Sequence, residues 1–258
     1  MNLSKSIVAA ALVSTIFAGA AIADEAAEKL FTGYVGASAK TGYLSNGKLF
    51  VDDPVLQPYA GIDFCGFNFD IWASQDLKDD EENGYEEIDY TLTYSGAFGD
   101  VGYSIGATIW AYDNSQNDYR AFASVSYNAL PVTPSVYVRY NIDNCYNDDH
   151  GIYGQFKLAK GFDLCDNLSL SLSALVGYAD SDYRKTSWAK DNCGFLDFEA
   201  NVELSYSVTD QLSLSLGCTY NSVIDNDIRD FEDDPETSLQ ADGESDHVIG
   251  YFGACISL

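Results

Sequence analysis

Residues 196–221 constrain the fold more than any other part of the chain. Leu196, Phe198, Ala200, Val202, Leu204, Tyr206 and Val208 alternate with Asp197, Glu199, Asn201, Glu203, Ser205 and Ser207. After a turn at Thr209-Asp210-Gln211, Leu212, Leu214, Leu216, Cys218 and Tyr220 alternate with Ser213, Ser215, Gly217, Thr219 and Asn221. Successive side chains of a pleated backbone point to opposite faces, so a period of two predicts paired strands. The first run outlasts the roughly 5 to 6 residues usual in soluble strands and satisfies the roughly 9 to 11 of a tilted membrane-crossing strand. The expected element is a transmembrane hairpin.

The same alternation recurs at 31–43, 55–64, 67–74, 87–95, 101–111, 119–127, 136–142, 152–158 and 168–178, and again at 248–258. About twelve antiparallel strands are expected. The links between them alternate in length: 44–54, 76–86, 113–118, 143–149, 179–194 and 225–246 are long and polar, while the intervening ones are short turns. Short turns at one end and longer loops at the other are the signature of an outer-membrane barrel. Lipid offers backbone groups no hydrogen bonds, so a strand-built membrane protein must close on itself. The fold expected is an all-β, antiparallel, up-and-down transmembrane β-barrel.

Energy decides which face meets lipid. Turning the polar rows outward would set Asp197, Glu199 and Glu203 against hydrocarbon, where a mid-depth Lys or Arg costs roughly 2 to 4 kcal/mol and an acid somewhat less. The Leu, Val, Phe and Tyr rows therefore face out.

At the N-terminus, Lys5 precedes an apolar run ending in Ala21-Ile22-Ala23. A basic start, a short apolar core and small residues at a cleavage point define a secretory signal peptide, so 1–23 is expected to be removed and 24–258 to form the barrel domain. Export places the domain in the bacterial outer membrane, with outer-membrane lipid and the barrel-assembly machinery as its partners. The formal net charge is −27 and becomes more negative when Lys5 leaves with the signal. Nucleic acid is thereby excluded as a partner, since like charges repel.

If the polar rows line a lumen, Arg120, Arg139 and Lys157 lie on one arc, with Glu87, Asp89, Asp197, Glu199 and Glu203 on others. Charged walls are how pores select ions. The expected function is passive diffusion of small solutes, favouring cations. A structural or adhesive barrel with a plugged lumen is the alternative, because side chains can fill a small barrel. An outer-membrane phospholipase is a third reading, but His150 and His247 have no nucleophile motif beside them, and no catalytic residue is assigned.

The acidic loops are expected to be a solvated surface rather than a metal site: Asp225, Asp227 and Asp230 start like a calcium loop, but Arg229 and the missing central glycine break the pattern. No cofactor is expected. Of the six cysteines, Cys145 and Cys193 fall in loops at the same end and are the candidate disulfide of an oxidising compartment. Cys65 and Cys165 fall in turns at the other end, on opposite sides of the barrel.

With the strands placed, several short pieces resemble the TorF-like porins of bacterial outer membranes. They are Gly47-Lys48 with Pro54-Val55-Leu56-Gln57, Gly66-Phe67 leading to Trp72-Ala73-Ser74, and Glu87-Ile88-Asp89-Tyr90 after an acidic loop. The likeness lies in the first half of the chain. It implies an outer-membrane barrel with a channel function and carries no catalytic residues. Leu258 departs from the aromatic residue that usually ends such barrels.

Overall fold

The computed structural model describes residues 31–78, 86–112, 116–143, 150–232 and 244–258. The expected signal peptide and Cys145 lie outside the described residues, as do parts of both acidic loops.

Strands form where the alternation predicted them. They are β1 (Thr32–Lys40), β2 (Tyr43–Ser45), β3 (Lys48–Val51), β4 (Val55–Phe64), β5 (Phe67–Asp76), β6 (Glu86–Phe98), β7 (Val101–Tyr112), β8 (Asp118–Tyr127), β9 (Thr133–Asp143), β10 (Ile152–Cys165), β11 (Leu168–Ala179), β12 (Gly194–Ser207), β13 (Leu212–Val223) and β14 (Asp246–Ser257), with helices α1 (Ser181–Trp188) and α2 (Asn226–Glu232). Among the described residues, twelve strands close into one antiparallel barrel, and only β2 and β3 stand outside the wall as a separate two-stranded sheet.

Closure joins β1 to both β4 and β14, with Lys40 opposite Tyr251 and Tyr34 opposite Ser257 on the β14 side. This last pairing leaves no free sheet edge, which is what lets strands sit in hydrocarbon. The side-chain period then sorts the wall. On β12, Val202, Leu204 and Tyr206 are exposed on the outside, whereas Asp197 and Glu203 are buried inside at 1% and 2% exposure. Outward rows of Val, Ile, Leu, Phe and Tyr continue around the barrel. No helix among the described residues is long and apolar enough to cross a membrane.

The short-turn end follows local turn chemistry. Cys65 and Gly66 both take positive φ, at 49° and 83°, between paired Phe64 and Phe67. Two consecutive positive-φ residues match the right-handed twist of the flanking strands, and glycine tolerates the second position at no steric cost.

The long-loop end differs from the expectation of plain polar loops at 44–54, 179–194 and 225–246. The first folds as the β2–β3 hairpin, turning at Asn46 and Gly47 with φ of 52° and 82°. Its Tyr43, Leu49 and Val51 are buried. The second contains α1, whose N-cap Asp180 accepts a hydrogen bond from the Tyr183 backbone N–H at 2.8 Å and whose C-cap Ala189 is left-handed. The third contains α2. Tyr183 and Trp188 of α1, Ile228 of α2, and Tyr153, Ala179, Leu196 and Val223 of the wall form one apolar cluster. The buried Arg184 bridges α1 to Asp225 at 2.8 Å. Trp188 and Ile228 stand alone in polar stretches and Leu49-Phe50-Val51 is too short a run to show a period, so only their packing reveals the elements.

Candidate functional site: the charged lumen

All eight charged residues picked out on the polar rows stand on inward-facing rows. Glu87 is 1% exposed, Arg120 7% and Arg139 5%. Asp197 and Glu203 are also buried, while Asp89, Lys157 and Glu199 are half-buried. The arcs are not cleanly separated, however. Arg120 donates to Asp118 on its own strand at 2.7 Å. Lys157 shares a cross-strand row with Glu199, through Leu175 on β11. Lys40 on β1 interacts with the same Glu199 and with Glu203. The acidic row of β12 is thus flanked by a lysine on either side.

Lys40, Asp70, Asp118 and Tyr251 were not singled out from the sequence, yet they line the same interior. Parity was sufficient for Lys40, which lies an even step from Tyr34 and Ser38 and opposes the outward Val35, Ala37 and Ala39. Tyr251 donates to Glu203 at 3.0 Å and contacts Asn201 at 3.1 Å. Its ring lies over Gly217, its cross-strand partner, where any Cβ would occupy the ring's place. A flat ring covers the wall without filling the lumen.

The β2–β3 hairpin crosses this lumen. At its base the Tyr43 hydroxyl donates to Glu87 at 3.1 Å, and the Tyr43 ring packs on Phe50 and Trp72. Burial, with the carboxylates of Glu87 and Asp89 nearby, pushes the Tyr43 phenol well above its usual pKa, so it remains a donor at neutral pH. At its tip, Gly47 sits against Asp197 on the far wall and beneath Trp188. The hairpin is therefore a bar from the β6 side to β12. Beside it, a void of about 20 Å³ is lined by Gly42 and Leu44 of the bar and by Lys40, Glu199, Thr219, Ile249 and Tyr251 of the wall. That is room for about one water.

On the other side of the bar, Trp110 on β7 lies between the acidic β6 and the basic β8 and β9. Asp89 is its direct partner on β6, and Asp118 is its partner on β8. The Arg120 guanidinium lies 3.0 Å and that of Arg139 5.5 Å from the indole centroid. Arg139 also faces the rings of Tyr153 and Tyr183 and donates to the Tyr183 hydroxyl at 3.2 Å.

The remaining candidates do not come together. Cys193 is an exposed free thiol, and the disulfide expected with Cys145 falls outside the described residues. Cys65 and Cys165 are exposed and unpaired at the short-turn end. His247 is on an inward row opposite Asn221, and His150 stacks on Tyr140. No group of His, Cys, Asp and Glu able to hold a metal occurs among the described residues.

A closed, twelve-stranded, antiparallel barrel with an apolar outside and a charged inside defines the class of fold. Solved structures of the same architecture include the NanC porin, with a TM-score of 0.54, 10% identity, and coverage of 88% of this chain and 100% of that one. The KdgM porin matches with a TM-score of 0.50 and 12% identity, over 88% of this chain and 99% of that one. The likeness is one of fold. No protein-family model matches the chain, and no curated protein matches it in sequence; the TorF-like resemblance rests on the short pieces quoted above.

Proposed function

We propose that the protein is an outer-membrane pore for passive diffusion of small solutes, with a preference for cations, exported by its N-terminal signal and related to the TorF-like porins. The observation that carries this reading is the charge of the inward rows. Asp70, Glu87, Asp89, Asp197, Glu199 and Glu203 face Lys40, Arg120, Arg139 and Lys157, and Asp118 already neutralises one of the four cations. An acidic excess behind low-dielectric walls concentrates cations. Solved porins of the same fold support the pore reading, and the apolar outer rows support the membrane.

The bar favours a second reading, a barrel whose lumen is plugged. What supports this reading is the packing of Leu49 and Val51, both buried, across the loop end of the lumen. Reconstitution into a planar bilayer with a salt gradient separates the two. A reversal potential toward the cation's equilibrium value is expected. No current at any voltage supports the plug, and a reversal potential of opposite sign removes the cation preference. Phospholipid turnover by the folded protein would instead identify an enzyme.

A further inference from the structure

Arg139 is a buried cation with an incomplete set of partners. Among the described residues it makes no ion pair with a carboxylate; its contacts are the Tyr183 hydroxyl and three ring faces, and its Nε has no partner. Its neighbour Arg120 uses Nη2 on Asp118 and leaves Nε and Nη1 without partners. On β6, one strand over from Trp110, Asp89 shares a hydrogen bond with Glu87 and buries an Oδ1 that has no partner. Burying a charge or a polar atom without a partner is costly, so such groups coincide where something else supplies the missing bonds. The donors stand on β8 and β9 and the acceptor on β6, on either side of the strand that carries Trp110.

From this juxtaposition we propose that the wall around Trp110 binds a short zwitterionic solute, its carboxylate held by Arg139 and Arg120 and its ammonium by Asp89. The inference rests on the pore reading and names the solute class that the pore would carry. A guanidinium pair matches a carboxylate in plane and charge. An ammonium is satisfied by a carboxylate oxygen. Asp89 and Arg120 are two strand spacings apart, about 10 Å between backbones. Side chains reaching inward from both leave the span of a short amino acid. A simple anion would leave Asp89 Oδ1 without a donor, and a simple cation would leave three guanidinium nitrogens without acceptors.

Isothermal titration calorimetry on the folded, detergent-solubilised protein tests this with three probes that share a three-carbon chain: β-alanine, propionate and propylammonium. Saturable heat is expected with β-alanine, with propionate and propylammonium each at least about tenfold weaker, because each loses one charge-assisted contact. Arg139→Gln and Asp89→Asn, with folding verified by heat-modifiable gel mobility, should each weaken β-alanine binding by about tenfold or more. Absence of saturable β-alanine heat, or equal affinity for propionate, overturns the proposal. Binding is read without any current, so saturable β-alanine heat in a protein that conducts nothing would retain the site and remove the pore.

Discussion

Replacing Gly47 by valine tests whether the bar limits the lumen. Gly47 has φ of 82°, and a Cβ there would lie 2.9 Å from the Asp197 Cβ, 3.4 Å from its Cγ and 3.6 Å from Trp188 Cζ2. A left-handed backbone costs a residue with a side chain roughly 1 to 2 kcal/mol, and a β-branched one tolerates it least. Forcing methyl groups into a packed contact adds typically 1 to 3 kcal/mol. Together about 2 to 5 kcal/mol would oppose docking of the tip on β12. At about 1.4 kcal/mol per factor of ten, the undocked population rises between about thirtyfold and a few thousandfold. Single-channel recording should show a new state of higher conductance, or a higher open probability, than wild type. Gly99→Val is the control: Gly99 also has positive φ, at 58°, but nothing lies within 4 Å of its Cβ position at the short-turn end. Unchanged currents in Gly47→Val, with the barrel folded by gel mobility, would refute the bar as the constriction.

Three further outcomes follow from the wall. Val202→Arg, on an outward row, should destabilise the barrel by roughly 2 to 4 kcal/mol if the site is near mid-depth, measured by denaturant titration in lipid vesicles, whereas Ser205→Arg on the inward row should cost much less. Lys40→Met removes one of the two lysines flanking Glu199 and Glu203 and should move the bilayer reversal potential further toward the cation's equilibrium value, while Lys40→Arg leaves it in place; a shift toward the anion would contradict the electrostatic assignment. In a variant with Cys145 and Cys193 of the long-loop end replaced by serine, the exposed thiols of Cys65 and Cys165 should react with a membrane-impermeant maleimide only after the outer membrane is opened, since short turns are expected on the periplasmic side; labelling in intact cells would reverse the topology.

The twelve-stranded wall and the direction of its rows were legible except at Leu196, which the alternation sets outward and which a bulge opposite Val176 and Tyr178 turns inward into the cluster with α1 and α2. Asp197 could be assigned inward and Val202 outward because a period of two is local and hydrocarbon penalises the reverse arrangement. The inward placement of the eight charged positions was legible for the same reason, and the same parity sets Lys40 inward at the end of β1. The pairing of Arg120 with Asp118, two residues away on one strand, is equally local.

The amino-acid sequence by itself determined the strands, their two faces and the long-loop and short-turn ends, because pleating and turn chemistry act over a few residues. Only the tertiary structure decided what the loop end does with those faces. Tyr43 meets Glu87, Gly47 meets Asp197 and Trp188, and Lys40 pairs across the closing seam with Tyr251. Each contact joins residues far apart in the chain, and each exists because barrel closure curves remote strands around one small interior. Whether that interior is a wall of separate charges or a crossed and compartmented lumen depends on those long-range contacts, which no local periodicity encodes.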